Sequence, residues 1–229
     1  MINDDAQMDD APSLPTLRTT LLARALERGA LRFGDFELKS GRRSPYFFNM
    51  GELCSGEDLR VLGEAYAAAI VASGVEFDVL FGPAYKGIPL AAVTAMALSQ
   101  RHGIDCGVTY NRKEAKAHGE GGRLVGASLA GRVLLIDDVI TAGTAVREVL
   151  PLIDEAGGRL VGILTALDRQ ERGQGERSAV QELAAELQVP VTSIVTLDDL
   201  LAWLEASGRG EQRAMVAAYR DRFGVAAGA

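Results

Sequence analysis

Long apolar runs are missing from this chain of 229 residues. No stretch of 18 or more uninterrupted apolar residues occurs, which argues against a membrane-spanning helix. Cysteine is scarce. Cys54 and Cys106 lie far apart and match neither a metal-ligand spacing nor a disulfide framework, so the expected setting is a cytoplasmic one with reduced thiols. Positive charge is in deficit: 24 Lys and Arg stand against 31 Asp and Glu, a net charge of -7. That excludes a general nucleic-acid binder, which needs a basic face. The N-terminus, MINDDAQMDDAPSLP, lacks the basic start and apolar core of a secretory signal. Residues 1–15 read as a disordered extension and 16–229 as a single domain, with no linker and no internal repeat. No G-x-x-x-x-G-K-[ST] motif occurs, which excludes a P-loop nucleotidase.

What is present has the pattern of an α/β protein. Leu17 to Leu31 has helical periodicity. The stretch FGDFELKSGRRSPYFFNMGEL reads as two short strands around a turn at Ser40–Arg42. Ala-rich helices are expected from Glu57 to Ala72 and from Gly87 to Arg101, with the short apolar strand FDVLFGP between them. CGVTYNRK, RVLLIDD, RLVGILTALDR and PVTSIVT read as further strands. Helices are expected through Ala156, over Ser178–Leu187, from an N-cap at Thr196 through Glu205, and over about Glu211–Arg222. Short apolar strands alternating with helices predict a mostly parallel central sheet covered on both faces.

Ligands of such sheets bind at the carboxyl ends of the strands, so the segments that follow the strands carry the functional information. They are GPAYKG, NRKEAKAHGEGG, DDVITAGTA and DRQERG. The second departs from the acidic average, with Arg112, Lys113, Lys116 and Arg123 against Glu114 and Glu120, plus His118. A basic, glycine-rich segment in an acidic chain concentrates cations on an anionic ligand. From Glu114 to Gly126 it is long for a connection, and Gly119, Gly121, Gly122 and Gly126 make it pliable. A lid that closes and excludes water is expected.

TAGTA, Thr141–Ala145, stands where a strand turns into a helix. The first N–H groups of a helix are unpaired and carry the positive end of its dipole. Small residues let a phosphate approach them, and Thr141 and Thr144 add hydroxyl donors. The alternative is an ordinary helix start that the threonines cap. Asp137 and Asp138, immediately before, would repel a phosphate. They make sense beside ribose hydroxyls, which donate hydrogen bonds, or beside a metal.

VLLIDDVITAGTA resembles the signature for 5-phosphoribosyl 1-diphosphate (PRPP) of type I phosphoribosyltransferases. FELKSGRRSPYFFNMG, FGPAYKGIPLA, YNRKEAKAHGEGG and LDRQERG together resemble the orotate-specific branch of that family in its compact bacterial form, over about Leu31 to Gly173. The resemblance implies a type I phosphoribosyltransferase fold with a small N-terminal hood. It implies Mg²⁺-dependent transfer of phosphoribosyl from PRPP to orotate, a step of pyrimidine nucleotide synthesis. It places PRPP on Tyr85, Lys86, Arg112, Lys113, Lys116, His118, Asp137, Asp138, Val139, Ile140, Thr141, Ala142, Gly143, Thr144 and Ala145. Lys116, Asp137 and Asp138 take the catalytic roles. Orotate is expected at Lys39, Phe47, Phe48, Thr141 and Arg169. Adjacent strand residues face opposite sides, so Phe47 and Phe48 cannot both stack on one ring. Mg²⁺ is expected mainly on substrate diphosphate and water. A homodimer whose lid loop serves the neighbouring site, and a cis peptide at Ala84–Tyr85, are also implied.

Taken singly, Lys39 would be a surface charge, Phe47 and Phe48 core packing, Arg169 a loop ion pair and His118 a bystander. The resemblance reverses most of these. A PRPP-sensing regulator on the same fold would want an added helix-turn-helix or a basic face, and neither is seen. The LKSGR…SPYFFN segment argues against a purine as the base. A fused decarboxylase domain has little room.

Overall fold

The computed structural model describes residues 11–38, 40–116, 122–140, 143–173 and 175–225, with backbone alone at 115 and 116. Helix α1 (Leu14–Glu27) starts inside the stretch read as an extension, because Ser13 caps it and Pro15 suits its first turn. Strands β1 (Leu31–Glu37) and β2 (Arg43–Phe48) pair antiparallel as a separate two-stranded sheet, the hood. A 3₁₀ turn, Met50–Glu52, leads into α2 (Gly56–Ser73), which opens with a reciprocal Ser55–Asp58 capping box.

The main sheet follows. Strand β3 (Val79–Gly82) and helix α3 (Gly87–His102) precede β4 (Gly107–Lys116), β5 (Gly122–Gly126) and β6 (Gly131–Asp137). Then come α4 (Thr144–Glu155), β7 (Gly158–Asp168), α5 (Ala179–Leu187), β8 (Val191–Thr196), α6 (Leu197–Ala206) and α7 (Gly210–Phe223). Strand order is β5-β4-β3-β6-β7-β8, parallel except for the β4–β5 pair. Among the described residues no helix is long and apolar enough to cross a membrane.

Two cores sandwich this sheet, and the period-2 pleat sorts residues between them. Leu80, Leu134 and Ile136 join the core beneath α1, α2, α3, α6 and α7. Val79, Phe81, Val133 and Leu135 join the core beneath α4 and α5. From β3 the chain runs to β4 on one side and then crosses back to β6 on the other. The strand order therefore reverses at β3 and β6, where open α/β sheets carry their ligand crevice.

The segment 114–126 differs from the expected loop. Strand β4 runs on to Lys116 and β5 returns antiparallel to it, with a bulge between Asn111 and Lys116. Two glycines at positive φ, Gly122 and Gly126, flank only Arg123, Leu124 and Val125, and the pattern is too short to stand out as a strand.

Candidate active site

The turn after β3 is tight because two glycines permit it. A Cβ on Gly82 would meet the Gly87 carbonyl oxygen at 2.2 Å, and one on Gly87 the Ile136 carbonyl oxygen at 2.8 Å. The chain thus folds back onto its own strand end, with a cis Ala84–Tyr85 peptide as expected. The Ala84 N–H donates to Asn111 Oδ1 at 2.9 Å, tying the turn to β4. Lys86 projects outward and pairs with Asp138 of the β6 turn. The Lys113 ammonium lies 5.0 Å from the centroid of the exposed Tyr85 ring, a cation–π distance.

The two aspartates after β6 are held by the backbone. Tyr66, fully buried, donates its phenol O–H to the Asp137 carbonyl at 2.7 Å. Ala166 of β7 donates its N–H to the Asp138 carbonyl at 2.8 Å, and the Asp138 N–H donates to Asp137 Oδ1 at 2.9 Å. Burial raises the Asp137 carboxyl to about 6; the Asp138 N–H and Lys86 oppose that rise, and the Asp138 charge adds to it. Each aspartate therefore has a different state: Asp138 is paired with a lysine, and Asp137 is partly buried and poorly solvated.

Helix α4 begins at Thr144 behind Gly143, which is left-handed at φ 69°. Among the described residues no side chain caps this helix, so the capping role weighed for the threonines is not taken by Thr144. The unpaired N–H groups of the first turn remain available to an anion. A cleft of about 300 Å³ opens between this turn, the β3 loop and the β4–β5 ribbon, lined by Ala84, Asn111, Lys113, Arg123, Ala145 and Glu148. Asn111 and Lys113 share that face of β4, so the half-buried Arg112 between them points the other way.

Two strands away, Arg169 follows β7 and faces the hood. Its Nε donates to Glu171 Oε1 at 2.7 Å and one Nη to Ser44 Oγ at 3.0 Å. Its guanidinium carbon lies 4.2 Å from the centroid of the Tyr46 ring. Phe47 turns to the outer face of the hood against Phe36, with ring centroids 5.6 Å apart, and Arg32 stacks over both. Phe48 packs onto the main core instead. The two phenylalanines are split across the strand as expected.

Of the remaining expected site residues, Val139 and Ile140 turn their side chains into the two cores, which leaves their backbone for a ligand. Gly143 is buried, and Thr144 and Ala145 are exposed beside the cleft. Lys116 ends β4. Lys39, His118, Thr141 and Ala142 lie outside the described residues. Asn111, Tyr66, Ser44 and Glu171 escaped the sequence reading. Only Asn111 carried a signal, as a poor strand former inside a strand; the others act through partners 71 to 125 positions away or through a turn.

A strand-order reversal, an uncapped helix start and carboxylates beside a lysine-bearing turn are the parts of a sugar-phosphate site. The family profile described as phosphoribosyl transferase domain matches residues 57–189. The chain is 60% identical to an orotate phosphoribosyltransferase of Saccharophagus degradans over 201 residues, 88% of this chain and 94% of that one. It is 57% identical to the Escherichia coli enzyme of that name over 202 residues, covering 88% and 95%. The crystal structure of orotate phosphoribosyltransferase from Francisella tularensis superposes with a TM-score of 0.81 at 36% identity, covering 90% of this chain and 99% of that one. The chain belongs to the orotate phosphoribosyltransferase family.

Proposed function

We infer that the chain transfers the phosphoribosyl group of PRPP to orotate, giving orotidine 5'-phosphate and diphosphate in pyrimidine nucleotide synthesis. The observation that carries this reading is the meeting, at one reversal of strand order, of the DD turn, the uncapped α4 start and the β3 loop with Lys86, in a chain of this family.

The roles follow from charge. The 5'-phosphate takes the N–H groups of the first turn of α4. Asp137 and Asp138 accept hydrogen bonds from the ribose hydroxyls and offset positive charge that builds on the ribose as its C1–O bond breaks. Lys86, released from Asp138, and Lys113 meet the departing diphosphate. Arg169 and the hood hold the planar base and its carboxylate. Among the described residues no cluster of three carboxylate, imidazole or thiol groups forms a ready metal cage. The donors at the strand end, two carboxylates with one already paired to lysine, suit an ion that keeps waters and substrate oxygens. Mg²⁺, when bound, neutralises diphosphate charge.

The working unit is a cytoplasmic homodimer. Arg112 faces away from its own cleft, which fits a ribbon that serves a neighbouring site. Mixing a Lys116→Ala subunit with one disabled at Asp137 and Asp138 should restore part of the activity; no recovery in verified heterodimers removes the shared lid. The activity itself is tested by the loss of orotate absorbance with PRPP and Mg²⁺, with uracil and hypoxanthine in parallel. Turnover confined to orotate is expected. No turnover of any base alongside tight PRPP binding overturns the reading.

A further inference from the structure

Arg169 is held by a carboxylate that has no part in the roles assigned above. Glu171 stands two residues further on, and the backbone between them is in an unusual state. Gln170 has φ 49°, the left-handed region, although it is not glycine. Such a residue is strained by about 1 kcal/mol or more and persists only where its surroundings impose it. Here they do. Its N–H donates to Asp168 Oδ1 at 2.8 Å, its side chain exchanges two hydrogen bonds with Asp198, and its carbonyl accepts the Val225 N–H at 2.9 Å. Residues after α7 clamp the next position too, through a bridge between Glu171 and Gly224. The left-handed turn brings the side chains of residues 169 and 171 together.

The result is a half-buried charge cluster. Glu171 Oε1 accepts from Arg169, and Glu171 Oε2 lies 3.8 Å from Arg42 of the hood turn. Arg42 also donates to the carbonyls of Arg172 and Gly173 at 2.8 and 3.4 Å. One carboxylate thus joins the hood to the β7 loop through two guanidiniums, and the trio retains one net positive charge. Nε of Arg169 and one of its Nη atoms are engaged by Glu171 and Ser44, and the Tyr219 hydroxyl stands beside both Arg169 and Glu171; the other Nη makes no hydrogen bond of ordinary geometry among the described residues.

We propose that Glu171 is a positioning residue for the base: the Gln170 turn sets its carboxylate against one edge of Arg169, locking the guanidinium so that its remaining Nη edge faces the carboxylate of the base. This rests on the assignment of orotate to Arg169 in the proposed function. A guanidinium oriented before binding loses less freedom when the substrate arrives, and base selection then depends on a residue that never touches the base.

The test is steady-state kinetics with orotate and PRPP each varied, on wild type, E171A, E171Q, S44A, R169A and the E171A/R169A pair. E171A should raise the KM for orotate about tenfold and leave the KM for PRPP within about twofold. S44A should move orotate KM in the same direction by a smaller factor. In the R169A background, E171A should add little, because Glu171 acts through Arg169. Should E171A be too unstable to assay, E171Q keeps the volume and one acceptor and should raise orotate KM about threefold. The proposal is overturned by an unchanged orotate KM in E171A or E171Q, by equal rises in both KM values, or by a full extra factor of E171A on top of R169A. Wild type that fails to turn over orotate refutes the proposed activity instead, which separates the two claims.

Discussion

The loop after β3 holds its lysine loosely, whereas the loop after β7 holds its arginine in place. The side chain of Lys86 is 59% exposed and has Asp138 as its partner. The side chain of Arg169 is 15% exposed and is fixed by a carboxylate, a hydroxyl and an aromatic ring. On the phosphate side, each piece is a short contiguous segment at one strand end. On the base side, the pieces come from the hood, the β7 loop and the C-terminal residues. The difference matches the ligands of the proposed reaction. A flexible polyanion carries its own counter-ions and can gather mobile cations, while a rigid planar base rewards donors fixed beforehand.

The largest effect should come from the phosphate and ribose side. Replacing both Asp137 and Asp138 by Asn should lower kcat by at least about 10²–10³-fold, the loss expected when transition-state electrostatics are removed. Single-turnover rates would check it, and a loss confined to KM would transfer those aspartates from the chemistry to mere binding.

A second experiment tests whether the buried carboxylate on this side has a stability cost. Burial raises the Asp137 carboxyl from 3.8 to about 6, so the folded chain binds more protons than the unfolded chain across that window. Stability should fall as pH rises from about 4 to about 6 and stay lower above it. Asp137→Asn should abolish this dependence and stabilise the unliganded chain at neutral pH by up to about 3 kcal/mol, while removing activity. Denaturant unfolding at pH 4 and pH 7 decides it; equal stability of wild type and variant at both pH values contradicts it.

The smallest effect should come from the fixed side. The Tyr46 hydroxyl is buried with no hydrogen-bond partner among the described residues, beneath the Arg169 guanidinium. Burial holds this phenol well above its usual range, so it stays neutral. The ring does the packing, and Tyr46→Phe should leave orotate KM within about twofold and raise stability by about 1 kcal/mol. A marked loss of orotate affinity would give the hydroxyl a role that the geometry denies it.

The contrast also explains what was legible in the sequence. Strand-end motifs are local, so the DD turn, the β3 turn and the helix start within TAGTA could be placed from neighbouring residues, while the cis peptide in the β3 turn was implied by the family resemblance alone. The N-cap at Thr196, read from four consecutive residues, is present as well, as half of a reciprocal Thr196–Asp199 capping box. Non-local pieces were not legible. Tyr66 reaches Asp137 from a helix 71 positions earlier, and nothing in AYAAAIV distinguishes it from a packing tyrosine. Strand β5 was hidden because five residues with a glycine at each end carry too little pattern. Glu171 was hidden by the left-handed Gln170, a conformation that glutamine does not advertise. Arg169 itself was singled out through the family resemblance, while the groups that hold it lie in the hood and in the turn.

The most direct test of a site with two independently built halves is a matrix of KM values for orotate and PRPP in K113A and R169A. Lys113→Ala should raise the KM for PRPP about tenfold and leave that for orotate within about twofold, and Arg169→Ala should do the reverse. Both constants rising together in either variant would mean that the two halves act as one, and the account of a loose phosphate side and a fixed base side would fail.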